Sequence, residues 1–176
     1  MHQAGPWIVA MVVVVIAGAW DWRSRRIPNW LTVSGAAAGV VVNTILAGWV
    51  GLKTALLGIL LGLAVFLPFV LIRSLGAGDW KLTGALGAAL GSQQLGSVLV
   101  ASLLVAGVMA LAVVIWTGRL KQTLVNIVRI LGSLVSLHMP PPDVSLDDPN
   151  AAKIPFGVAM SAAVVLIGLG RLLGKL

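Results

Sequence analysis

Apolar residues fill positions 7–20 without a break, and the first charged positions beyond them are Asp21, Arg23, Arg25 and Arg26. A run of that length rises about 21 Å as a helix, against a hydrocarbon core of about 30 Å. Its helix must therefore borrow flanking residues to cross a membrane, which draws Asp21 and Trp22 towards the surface. Further apolar runs predict spans at 31–50 and at 52–72, with Gly51 and Lys53 as a tight connection and Arg73 at the end. A shorter run at 82–91, built from Gly, Ala and Leu and closed by Ser92-Gln93-Gln94, spans only if its helix begins near Asp79. Two more runs occupy 95–116 and 154–173. Residues 119–138 differ. Arg119, Gln122, Asn126, Arg129, Ser133 and Ser136 recur at spacings of three and four, and Leu120, Leu124, Ile127, Val128, Leu131 and Leu134 fill the opposite face. That pattern predicts an amphipathic helix lying in the interface. Residues 139–153 form a polar loop broken by Pro140, Pro141, Pro142 and Pro149. The expected fold is all-α and polytopic: one membrane-embedded domain over 1–176, with six transmembrane helices and one amphipathic interfacial helix.

Composition agrees with this pattern. Hydrophobic residues make up 59% of the chain and charged ones 10%, against about a quarter charged in soluble domains. Soluble globular folding is excluded. With no cysteine there is no disulfide framework, thiol nucleophile or cysteine zinc site. His2 and His138 are too far apart in sequence to suggest a histidine metal site, and no cofactor is expected. The positive cluster follows the first apolar run instead of preceding it, the reverse of a secretory signal, so the run reads as a retained helix.

The net charge of +7 reads as topology and contact with membrane lipids, and no nucleic-acid signature is present. With the N-terminus outside, the cytoplasmic side holds Arg23, Arg25, Arg26, Arg73, Lys81, Arg119, Lys121, Arg129 and Lys153. The outer side holds Lys53, Arg171 and Lys175. Two complete spans then separate Asp21 from Asp79, and both lie at the cytoplasmic face. The glycine pairs Gly35/Gly39, Gly58/Gly62 and Gly87/Gly91 have the spacing that lets helix backbones approach closely in lipid.

The chain has five acidic residues: Asp21, Asp79, Asp143, Asp147 and Asp148. The last three lack the pattern of a calcium loop and read as solvated. Asp21 and Asp79 each end a span at similar depth. Two carboxyls brought together cannot both ionise easily, so such a pair can share a proton. One member then deprotonates water and the other polarises a carbonyl. The simpler reading makes each a helix cap or the partner of a nearby base, Arg25 for Asp21 and Lys81 for Asp79. Matched depth and face favour function.

The flanks read in two ways as well. Gly76 and Gly78 permit backbone conformations closed to other residues and close approach to a substrate strand, or form an ordinary turn. Trp80 reads as an interface anchor, and Lys81 as a topology determinant that could also orient a carboxylate. Ile27-Pro28-Asn29 fits a loop ending in a helix cap at Asn29.

These residues carry a resemblance. Asp21-Trp22-Arg23-Ser24-Arg25-Arg26-Ile27-Pro28-Asn29 resembles the first signature of type IV prepilin peptidases, and Gly76-Ala77-Gly78-Asp79-Trp80-Lys81-Leu82 resembles their second, Gly-x-Gly-Asp followed by Lys. Lys153-Ile154-Pro155-Phe156-Gly157 is similar to the Pro-aromatic-Gly element that opens the family's last helix.

The resemblance implies an aspartic endopeptidase of the bacterial inner membrane. Asp21 and Asp79 would be catalytic, with Gly76, Gly78, Lys81, Ile27, Pro28, Asn29, Pro155, Phe156 and Gly157 as active-site support. It implies a prepilin or pseudopilin substrate whose short basic leader is cut on the cytoplasmic face. Larger members carry a cysteine-containing loop and also methylate the new N-terminus. This chain lacks the cysteines and resembles the short, peptidase-only form of tight-adherence (Flp-type) pilus systems. A presenilin-like intramembrane protease, a small proton-coupled transporter and a non-catalytic scaffold remain as alternatives.

Overall fold

The structure is a computed structural model, and it describes residues 4–73, 75–118, 120–136 and 155–173. Asp143, Asp147, Asp148, His2, His138, Arg119, Lys153, Ile154 and Lys175 lie outside the described residues. Five helices follow in order: α1 (Ala4–Ser24), α2 (Asn29–Leu71), α3 (Ala77–Thr117), α4 (Leu120–Ser136) and α5 (Phe156–Leu172). No strand occurs among the described residues. α1, α2 and α3 are long and apolar enough to cross a membrane, and α5 is a shorter apolar helix.

α1 extends beyond its apolar run at both ends. Its buried residues include Trp7, Ala10, Val14, Ala17 and Asp21. Steps of three and four residues place these five on one face of a helix. Asp21 is thus the last member of an inward stripe, buried because its face is buried. That face meets α5. Gly18 faces Ser161, whose hydroxyl donates to the carbonyls of Val14 and Gly157.

α2 has 43 residues, about 64 Å of helix, and is interrupted at Ala47 and Gly48. The expected connection at Gly51 and Lys53 is therefore displaced. Gly48 has φ 56° and ψ −133°, a conformation closed to side-chain-bearing residues, and nothing lies near its Cα. Gly51 is instead buried in the helix, with the Asn43 carbonyl where a Cβ would stand. α3 breaks at Gly91 (φ 73°, ψ 172°), directly before the polar Ser92-Gln93-Gln94.

The first part of α3 is the centre of the molecule. Every residue from Leu82 to Gly91 is buried, although the run is short and built from small residues. A helix that is apolar on all sides belongs inside a bundle. Contact with α2 is backbone to backbone. Gly58 and Gly87 each face the other's carbonyl, and a Cβ on Gly62 would come within 2.6 Å of the Thr83 carbonyl oxygen. A Cβ on Gly39 would come within 2.6 Å of the Ala89 nitrogen. The glycine spacing read from the sequence thus marks real helix contacts.

The break at Gly91 leaves carbonyls of the preceding turn without helical partners. Asn43 supplies them: its side-chain amide donates to Ala88 O at 2.9 Å and Ala89 O at 2.8 Å. α4 touches α3. Leu124, Ile127, Val128 and Leu131 on its apolar side are exposed, while Ser133 is buried.

Candidate active site

Three blocks far apart in sequence meet at one end of the bundle. The first is the end of α1 and the start of α2, the second is the start of α3, and the third is the start of α5. Arg25 (φ 52°) turns the chain out of α1, and Arg73 (φ 56°) turns it out of α2. A left-handed conformation at a non-glycine residue costs about 1 kcal/mol, so each corner is held by its surroundings.

Asp21 occupies the last turn of α1. Its Oδ2 accepts a hydrogen bond from the Gly157 N–H at 3.0 Å, the Val158 N–H also acts on this carboxyl, and the Arg25 charge lies near. Pro155 is the buried N-cap of α5, so Gly157 is in the first turn, where backbone N–H groups lack helical partners and favour a negative charge. A Cβ at Gly157 would stand 2.9 Å from Asp21 Oδ2. The approach requires glycine.

Asp79 is in the first turn of α3 and within electrostatic reach of Asp21. Its Oδ1 is buried and has no hydrogen-bond partner among the described residues. A buried polar atom left so is costly, and this one belongs to an ionisable side chain. Its backbone carbonyl accepts from Thr83 Oγ1 at 2.9 Å.

The supporting residues fall into place around this pair, with some reasons changed. Gly76 caps α3 at φ −68° and ψ 139°, and Gly78 is helical, so neither needs a conformation reserved for glycine. The requirement is steric. A Cβ on Gly76 would lie 3.1 Å from Asp79 Oδ2, and one on Gly78 would lie 3.2 Å from Ile27 Cβ. Ile27 is buried against α3 through that contact.

Pro28, and not Asn29, is the N-cap of α2, since the extended geometry of a cap suits proline there. Asn29 is the first helical residue, and its Oδ1 accepts from Lys81 Nζ at 3.0 Å. Lys81 thus joins the two motif-bearing segments. Trp80 is half-buried, and its indole N–H donates to Leu63 O at 2.7 Å. Phe156 packs edge-on against Phe66 of α2, with ring centroids 5.7 Å apart.

Asn43, Phe66 and Ser161 escaped the sequence reading. Only Asn43 left a signal, as the one side-chain amide within residues 31–48. Among the described residues no three His, Asp or Glu side chains gather as a metal site would need.

No curated protein and no solved structure matches this chain. A family model does, over residues 8–115, more than half of the sequence, from within α1 to near the end of α3 and including both aspartates. The chain is a member of the type IV leader peptidase family.

Proposed function

We propose that this protein is a membrane aspartic endopeptidase that removes the short basic leader of type IV prepilins or pseudopilins, with Asp21 and Asp79 as its catalytic dyad. The observation that carries the reading is that a buried carboxyl, Asp21, and a half-buried one, Asp79, come within electrostatic reach of each other from positions 58 apart in a chain of this family. One carboxylate takes a proton from water as the water oxygen attacks the scissile carbonyl carbon. The other, protonated, gives its proton to the carbonyl oxygen. The neutral diol then collapses. Its nitrogen takes a proton from the first carboxyl and leaves as an amine, and a diol hydroxyl returns a proton to the second. Water, a peptide bond and one shared proton enter, and the same shared proton remains.

The two halves of α2 and the two halves of α3 each serve as a separate span. With α1 and α5 that makes six transmembrane helices in a single domain, and α4 lies in the interface. The N-terminus is outside, so the dyad opens to the cytoplasmic face of the inner membrane, where a prepilin leader remains after its helix inserts. Without cysteines and with only residues 25–28 joining α1 to α2, the enzyme leaves the new N-terminus unmethylated.

The test is co-expression with a candidate prepilin and mass spectrometry of the mature N-terminus. Wild-type protein is expected to yield a single unmethylated product. Asp21→Asn and Asp79→Asn are each expected to abolish leader removal while the protein stays folded and inserted. Normal processing by either variant would sink the dyad. A cut inside the apolar helix would point to a presenilin-like protease, and aspartate-dependent uptake without cleavage would point to a transporter.

A further inference from the structure

The two carboxyls are held very differently. Asp21 Oδ2 is fixed by a backbone donor, whereas Asp79 Oδ1 is buried with no partner among the described residues. We propose that the first turn of α5 is a third component of the active site, in which the Gly157 N–H positions the Asp21 carboxylate and leaves Asp79 as the member with a free oxygen for the substrate. The proposal rests on the dyad reading above. α5 begins at Phe156, beyond the segment that matches the family model, and the resemblance that implies active-site support at Pro155, Phe156 and Gly157 gives no atom a part in it.

Three contacts make the donor rigid. Ser161 Oγ shares its single O–H between the Gly157 carbonyl, at 2.8 Å, and the Val14 carbonyl of α1, two turns before Asp21, which holds the two helices together beside the Gly157–Asp21 link. Gly18 faces Ser161 and lets α1 and α5 close to that distance. The Phe156 ring, one residue before the donor, is packed on Phe66 of α2. A main-chain N–H held in this way has no rotamer to lose, so it fixes a carboxylate more firmly than a side-chain donor would. Gly157 is a positioning residue in this account, since it acts through Asp21.

The test exchanges the Gly157 N–H for an ester oxygen, by incorporating glycolate at that position in the full-length chain reconstituted in anionic lipid. No atom is added against Asp21. A lactate in place of Ala162, further along α5, removes a helical N–H away from the site and serves as control. The ester at 157 is expected to lower kcat for prepilin cleavage about 10-fold with KM within about 2-fold, the size of one charge-assisted hydrogen bond. The ester at 162 is expected to leave kcat unchanged. Infrared difference spectra supply a second readout. The Asp21 carboxyl band, assigned by its loss in Asp21→Asn, is expected to shift with the ester at 157 and not with the ester at 162. Unchanged kcat at 157, equal losses at both positions, or an unmoved Asp21 band would overturn the proposal. The spectra decide it even if wild-type protein cleaves no prepilin, an outcome that would overturn the peptidase reading instead.

Discussion

Replacing Asn43 with leucine tests how α3 can break inside an apolar bundle. Asn43→Leu keeps the branching and the number of side-chain heavy atoms and removes the amide that donates to Ala88 O and Ala89 O at 2.9 and 2.8 Å. Those carbonyls precede the Gly91 break, and neither lipid nor apolar side chains can replace the donor. A lost hydrogen bond to a buried acceptor costs about 1–3 kcal/mol in water-soluble proteins. Interhelical polar contacts in membranes average nearer 0.6 kcal/mol, because the unfolded chain also finds partners. Two bonds of intermediate strength come to about 2 kcal/mol, roughly a 30-fold shift in the folded-to-unfolded ratio. The assay is reversible unfolding in mixed detergent–lipid micelles followed by circular dichroism, with Asn43→Leu compared to wild type. Equal stability would refute the reasoning, since it would mean that the carbonyls of the broken turn need no donor from α2.

The remaining predictions concern the helix contacts that place Asp79. Gly87→Ala would put a methyl group on the Gly58 carbonyl, where backbone on both sides leaves little room to yield. It is expected to destabilise by about 3 kcal/mol in the same assay, while Gly96→Ala, with open space around its Cα, is expected to be neutral or slightly stabilising. Equal behaviour of the two would contradict the close α2–α3 packing. Trp80→Phe keeps an aromatic ring but removes the 2.7 Å bond to Leu63 O, and a loss of about 1 kcal/mol is expected. A hydrogen-exchange comparison should localise that loss to the first turn of α3, and a uniform change along the chain would argue against it.

Local pattern made some features legible. The stripe Trp7, Ala10, Val14, Ala17 and Asp21 is a helical period, so the inward direction of Asp21 is implicit in its spacing from those residues. The glycine pairs announced close helix approach because only a missing side chain allows it. The two aspartate motifs could be matched to a family because their chemistry lies in short contiguous segments. Partners were not legible in the same way. The apolar residues ring each long helix, so hydrophobicity gave no direction in which Gly58 should seek Gly87 or Gly39 should seek Ala89. The run at 82–91 is short for a span and built from small residues, and those properties let it serve as the central helix.

Sequence by itself determined the all-helical character, most helix ends to within a few residues, and the two motifs that carry Asp21 and Asp79. Tertiary structure alone decided what each carboxyl meets: Asp21 with the backbone of Gly157, 136 positions away, and Asp79 with no partner for Oδ1 among the described residues. The physical reason is that a backbone N–H carries no side-chain signature. Its value as a donor depends on where a helix begins and on what another helix brings within 3.0 Å of it.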